Sequence, residues 1–352
     1  MEGVFSYDWE LESESVDERF AEKKEELQIG EKLVLAGKEH NVLRYRNIVS
    51  GSFVLYRLNE KNEKEVYELD ADYMLDGGDG LIIRTSNSRI PDFSHSAFYN
   101  KRKFNQNDYE KWGNQDFILH ANYRFLSFGN FTSEKRSLQI AEKSGYLHAL
   151  SVYLDKFRGK TLRYLVFGDS ISTGAEASTL ENTYFGRFAR EIERQYGVAV
   201  EVINASVGGD TSEDGLKRME KDVLGHDFQL VTVAFGMNDQ NKYGNVLPIT
   251  PIKFAQNIEK ILSLLSPKVP ALLVSPCMPN LNWYYSSGRM SEYVEQLSRI
   301  AKSRELPFAD VCALWKSELE SGKTADDLLA NGINHPTDYG HYLYSLMLKT
   351  LL

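Results

Sequence analysis

The sequence predicts an α/β fold on a parallel sheet for residues 158–352, preceded by a β-rich, sandwich-like region over residues 1–157. Three observations predict it. From Leu162 onward, short apolar runs alternate with helical segments, and strands separated by helices imply right-handed crossovers and a parallel sheet. Before residue 130 the chain is instead rich in Tyr, Phe and Trp, with short strand-like runs between turn signals, the pattern of an antiparallel sandwich. Finally, 352 residues exceed the roughly 100–200 of one ordinary domain, so two are expected.

In the first region the candidate strands are Lys32–Leu35, Phe53–Leu58, Val66–Leu69, Leu81–Thr85 and Phe117–Phe125. Asp76-Gly-Gly-Asp-Gly80 and Ser86-Asn-Ser88 supply turns, since Gly and Asn tolerate backbone conformations other residues avoid. The acidic stretch from Glu10 to Glu26 reads as a solvated helix or a mobile arm. Aromatics here serve either as core filling or as a sugar-stacking face. A helical segment begins after Thr132, a fair N-cap, and connects to the second region by about Phe157. Beyond it the strands are Leu162–Phe167, Val198–Ile203, Leu230–Phe235, Ala271–Ser275 and a short one near Phe308. Helices fall near 181–195, 212–223, 251–265, 290–304 and 338–351. No internal repeat or low-complexity segment is present.

Composition narrows the function. A hydrophobic fraction of 42% and a charged fraction of 26% are those of an ordinary globular chain. The net charge of −9 argues against a nucleic-acid-binding surface. No apolar run reaches the ~18 residues a membrane span needs, and the opening Met1-Glu-Gly-Val-Phe-Ser lacks a basic segment before an apolar core. A cytoplasmic location is therefore expected. Cys277 and Cys312 form no C-x-x-C pair and read as small core residues, so no structural disulfide is expected. The seven histidines are scattered without ligand spacing, so neither a metal nor another cofactor is expected.

The chemistry concentrates in four segments. Tyr164-Leu-Val-Phe-Gly-Asp-Ser170-Ile-Ser is a buried strand that stops at Gly168 and offers a serine two residues later. Asn204-Ala-Ser-Val-Gly-Gly209-Asp-Thr-Ser and Phe235-Gly-Met-Asn238-Asp follow the next two strands, and Asn334-His335-Pro-Thr-Asp-Tyr-Gly-His341 precedes the last helix. The first three lie past carboxyl ends of strands, where open parallel sheets bind ligands. Neither a Gly-x-Ser-x-Gly elbow nor a phosphate-binding Gly-x-x-x-x-Gly-Lys-Ser/Thr run occurs.

Taken together, and in this order, the four segments resemble the SGNH (GDSL-type) serine esterases over residues 160–352. The resemblance implies a three-layer α/β/α, flavodoxin-like domain. It implies Ser170 as nucleophile and His335 as base, because a serine hydroxyl needs a partner to take its proton. It implies an oxyanion hole from the Ser170 amide, the Gly209 amide and the Asn238 side chain, with Gly208 as the alternative register. Asp239 beside it fits a helix cap, and His341 fits a helix-surface or packing residue. The family's aspartate three residues before the histidine is absent: that position is Gly332. Asn331, Asp326, Asp327 or a backbone carbonyl are left to orient the imidazole, so the third triad member is open. The function implied is deacylation of small or carbohydrate esters, with O-acetyl groups as the expected substrate. The alternatives are a lipase, acyl-thioesterase or lysophospholipase of the same fold, and a non-catalytic carbohydrate-binding protein. The expected partner is a small-molecule ester, an acetylated sugar among the candidates, and the oligomeric state is open.

Overall fold

In the computed structural model, which describes residues 23–59, 61, 63–128 and 132–352, the first half contributes seven strands. They are β1 (Lys23–Leu33), β2 (Asn41–Val42), β3 (Val54–Leu58), β4 (Lys64–Tyr67), β5 (Tyr73–Asp76), β6 (Leu81–Arg84) and β7 (Leu119–Phe128). They form two antiparallel sheets, ordered β1-β7-β3-β4 and β2-β6-β5. Both sheets feed one apolar cluster: Leu33, Leu55, Tyr67, Leu119, Ala121 and Tyr123 from the first, Tyr73 and Ile82 from the second. The N-terminal half is thus the sandwich-like layer its sequence predicts.

The strand β1 begins nine residues earlier than the pattern suggests. Leu27 and Ile29 alternate, but they are 54% and 64% exposed and bury no core face. Pairing with β7 makes this segment a strand, with an irregularity between Gln28 and Glu31 where Gly30 takes φ +67 and donates its amide to Asn122 Oδ1 at 2.7 Å. Of the acidic stretch, residues 10–22 lie outside the described residues, and Lys23–Glu26 open β1 instead of a helix.

The expected single helix after Thr132 is two. Helix α1 (Ser133–Ser144) has Thr132 as its N-cap and stops at Gly145, whose φ of +80 closes the last turn. Helix α2 (Ser151–Leu154) follows, and Leu150 and Leu154 belong to the larger core of the second half.

That half alternates as predicted: β8 (Thr161–Gly168), α3 (Ser170–Thr173), α4 (Tyr184–Tyr196), β9 (Ala199–Asn204), α5 (Ser212–Asp222), β10 (Leu230–Ala234), α6 (Pro251–Leu264), β11 (Ala271–Val274), α7 (Met290–Arg304), β12 (Phe308–Ala309), α8 (Val311–Glu320), α9 (Ala325–Leu328) and α10 (Asp338–Lys349). The five strands are parallel and ordered β12-β11-β10-β8-β9. The chain enters at β8, adds β9 on one side, then crosses to β10, so the strand order reverses beside the end of β8. Helix α4 shows why the helices form: Thr183 caps it, Gly197 ends it, and Tyr184, Phe188 and Ile192 bury one stripe against the sheet. Helices α8 and α9 have no counterpart in the sequence reading. Val311-Cys-Ala-Leu-Trp is too uniformly apolar to show a helical period, because α8 is buried against α1 and α10.

Both cysteines are buried and free, as core residues. Among the described residues no helix is long and apolar enough to cross a membrane.

Charged groups bury between the two halves. Lys323 Nζ lies 2.9 Å from Glu31 Oε1 and 3.9 Å from Asp327 Oδ2, and all three side chains are fully enclosed. Arg44 Nε meets Glu318 Oε2 at 2.8 Å, and Ser133 Oγ donates to the other oxygen of Glu318. Asp327 Oδ1 accepts from the Val34 amide and the Asn41 side chain. Lys32 reaches Asp338 at 3.4 Å.

Candidate active site

Strand β8 delivers Ser170 through a turn that only glycine permits. A Cβ on Gly168 would stand 2.5 Å from both the Ala234 carbonyl oxygen and Ser172 Oγ. Asp169 then caps α3, its carboxylate accepting the Ile171 amide at 3.0 Å. Burial pushes the Asp169 carboxyl up to about 7, with Asp239 and Asp210 adding to the rise and the Ile171 amide opposing it. Ser170 itself is 8% exposed.

His335 comes from the turn before α10. The Asn331 side-chain oxygen accepts the amides of Ile333, Asn334 and His335, each at 2.9 Å, and the Ala330 amide donates to the His335 carbonyl at 2.9 Å. Gly332 lies inside this turn at φ +69, where a Cβ would meet Phe98 at 2.9 Å. The result is direct: His335 Nε2 is 2.9 Å from Ser170 Oγ. If Nε2 accepts the hydroxyl proton, Nδ1 carries the ring's own proton. Nδ1 has no hydrogen-bond partner, but Glu176 Oε1 stands 3.8 Å away. His335 is the first cause holding the Glu176 carboxyl below its usual range; burial opposes it, and the Gln115 amide helps.

The loop after β9 lies over the nucleophile. A Cβ on Gly208 would be 3.8 Å from Ser170 Cβ, whereas Gly209, at φ +84, faces open space. Neither glycine amide bonds to the backbone among the described residues, so both are free donors. Asn238, past β10, donates through Nδ2 to the Asp210 carbonyl at 2.9 Å, which ties its amide to the same loop. Ser170, His335 and Gly208 thus meet at the carboxyl end of the sheet, and Asn238 is tied to the loop that carries Gly208 and Gly209. Asp239 caps a neighbouring helix: its carboxylate accepts the Ser212 amide at 3.0 Å at the start of α5.

The three side chains considered for orienting the imidazole are committed elsewhere. Asn331 spends its oxygen on three amides. Asp327 belongs to the buried charges around Lys323 and caps α9. Asp326 Oδ1 accepts from Asn114. Glu176 and Gln115 were not singled out by the sequence, and no periodicity or motif marks either. His341 is no surface residue: fully enclosed, it accepts the Tyr184 amide on Nδ1 at 3.3 Å and faces the Ala175 carbonyl with Nε2 at 3.3 Å, which assigns the proton to Nε2. Burial holds its pKa down at about 4, so it is neutral and pins the residue before Glu176. Among the described residues no group of three or more His, Cys, Asp or Glu side chains could hold a metal.

Comparison with solved structures finds a lipase/acylhydrolase from Enterococcus faecalis, 27% identical, covering 53% of this chain and 94% of that one at a TM-score of 0.45. A two-domain esterase active on acetylated mannans is 22% identical over 58% of this chain and 52% of that one, at 0.47. An acetylxylan esterase from Geobacillus stearothermophilus is 20% identical over 54% of this chain and 94% of that one, also at 0.47. No curated protein matches the chain. The model of the GDSL-like lipase/acylhydrolase family matches residues 166–343, half of the chain, from the end of β8 into α10. With the parallel sheet and the four segments in order, the chain belongs to the GDSL-like lipase/acylhydrolase family.

Proposed function

We propose that the protein hydrolyses carboxylic esters through an acyl-enzyme on Ser170, and that its substrates are small O-acyl groups, chiefly O-acetyl, on sugars. The observation that carries the reading is the 2.9 Å contact between Ser170 Oγ and His335 Nε2. In the first step Oγ attacks the ester carbonyl carbon while Nε2 takes its proton. The carbonyl π electrons move onto oxygen, and on this reading the amides of Ser170 and Gly209 with the Asn238 side chain donate to that oxyanion, with Gly208 as the alternative register. The C–O bond to the alcohol then breaks as the imidazolium returns its proton to the leaving oxygen. Water repeats the sequence on the acyl-enzyme, giving the free acid and Ser170.

The preference for a small acyl group on a polar carrier rests on the surroundings. Glu176 lies beside His335 and accepts from Gln115, and the Asn280 side chain donates to the Gly332 carbonyl in the turn that holds His335. Trp112 and Tyr284, 40% and 44% exposed, stand a few residues from Gln115 and Asn280 in the chain, and on this reading one of them would stack on a sugar ring.

Rates on p-nitrophenyl acetate, butyrate and octanoate beside a panel of acetylated sugars test the assignment. We expect the rate to fall with chain length and a sugar acetate to be turned over. A preference for octanoate would favour a lipase or lysophospholipase. An organophosphonate should label Ser170, found by mass spectrometry; full activity in Ser170→Ala would refute the serine mechanism, and no hydrolysis or labelling at all would leave a binding protein.

A further inference from the structure

We propose that Glu176 is the carboxylate partner of His335 and that Gln115, from the N-terminal half, holds it in position. The proposal rests on the Ser170–His335 reading and completes it, in a place where the sequence offers no acid.

Four observations converge. His335 Nδ1 has no partner of its own, and Glu176 Oε1, at 3.8 Å, faces it. The other oxygen, Oε2, accepts from Gln115 Nε2 at 2.6 Å, which fixes the plane of the carboxylate. Glu176 occupies φ +65, a conformation costly for a residue with a side chain, and its loop is tied down on both sides. His341 faces the Ala175 carbonyl, and the Ser178 amide donates to Asp338 Oδ1 at 2.8 Å. Strain kept under such restraint belongs at a site where geometry matters. Finally, the segment bearing Gln115 is stitched to the turn bearing His335: the Asn114 amide donates to the Ala330 carbonyl at 2.9 Å, and its side chain to the Leu329 carbonyl at 3.2 Å. The base and the group that steadies its acid are therefore held by one set of contacts. Gly113, at φ +107, leaves room for this arrangement, since a Cβ there would lie 2.3 Å from Gln115 Oε1.

The 3.8 Å separation suits the resting state. When Nε2 takes the serine proton the ring becomes a cation, and a short side-chain rotation closes the gap to a charge-assisted hydrogen bond; such contacts tighten in the reacting complex. Glu176 and Gln115 act through His335 and are positioning residues.

The test uses the full chain and p-nitrophenyl acetate. Glu176→Gln keeps the shape and loses the charge, and Glu176→Gly suits the positive φ. Both should melt near the wild-type temperature and lose ~10²–10⁴-fold in kcat, with KM within about twofold. Added formate should restore at least about tenfold in Glu176→Gly, because a small carboxylate fits the vacated space, while chloride restores nothing. Gln115→Ala should lose about 3–10-fold in kcat at unchanged KM. Glu176 variants within about threefold of wild type, while Ser170→Ala is inactive, would overturn the proposal and leave the serine reading standing. Loss of activity that formate does not restore would also overturn it, making Glu176 a loop support. Full activity in Ser170→Ala would instead bring down the reading beneath it.

Discussion

The two halves of this chain differ in how they close and in what lies between them. The α/β half is closed by an apolar cluster that takes in Leu150 and Leu154 and runs on from Leu162 on β8 to Leu352. The N-terminal half has its own smaller apolar core between two sheets, and it meets its partner both through apolar contacts, with Phe98 and Phe104 against Trp283 and Ile333, and through enclosed charges: Glu31 with Lys323, Arg44 with Glu318, and Asp327 with the Val34 amide. Apolar packing tolerates sliding, whereas buried ion pairs work in one register only. Their net stabilisation is small, because desolvation offsets most of the attraction, but losing one partner is costly. On our reading, which divides the chain at 157/158, this contact serves alignment: it sets the distance from Gln115 to Glu176 and hence to His335.

The harshest way to break the comparison is to remove one side. A fragment of residues 158–352 would leave Lys323 and Glu318 without Glu31 and Arg44, and the core without Leu150 and Leu154. We expect no cooperative thermal transition from it. A fragment that melts cooperatively and hydrolyses p-nitrophenyl acetate at the wild-type rate would show that the halves are independent. A milder break is Lys323→Met, which leaves the enclosed Glu31 carboxylate without its cation. Urea unfolding should show a loss of about 3–5 kcal/mol, and Lys323→Met with Glu31→Leu should recover much of it. A single-variant loss under about 1 kcal/mol would mean that the pair is not aligning anything.

The same contrast explains what the sequence made legible. Strands β8, β10 and β11 are buried on both faces, so they read as apolar runs, and the helices between them carry a stripe and a cap each. Ser170 and His335 were visible because they stand at the ends of such elements in a recognisable order. Glu176 was not, because its role depends on a backbone turn at φ +65 and on Gln115, which lies 61 residues earlier. Neither a spacing nor a residue type encodes that meeting. The first strand was read short for a related reason: Leu27 and Ile29 point outward, and only pairing with β7 reveals the strand. Gly332 is the one local hint. The aspartate usual in the family is missing where Phe98 and Asn114 of the other half press in, with room for no side chain at all.

Asn331 sharpens the comparison from within the α/β half. Its oxygen gathers three amides of the His335 turn, a task separate from carrying charge. Asn331→Ala should lower kcat by about 10–100-fold through misplacement of the base, well short of the loss in His335→Ala. Equal losses in the two variants would make Asn331 part of the proton-transfer unit and count against Glu176.

The smallest expected effect is on stability and concerns Asp169, the enclosed carboxyl beside the nucleophile. Its ordinary pKa is 3.8, and burial raises it to about 7 in the folded chain. Between those values the folded state holds a proton that the unfolded state has lost. Stability must therefore fall as pH rises from about 4 to about 7, then level off. Asp169→Asn keeps an oxygen for the Ile171 amide and removes the titration. Asp239, pushed up to about 6 by burial and facing Ser212, contributes a slope of the same sign that the variant retains. His341 and His120, held down at about 4 and about 3, contribute the opposite sign equally in both proteins. The difference between variant and wild type isolates Asp169. The fall in melting temperature between about pH 5 and pH 8 should be smaller in Asp169→Asn. An equal or steeper fall would mean that Asp169 stays ionised in the folded chain, which would require a cation or an opening to water beside the nucleophile.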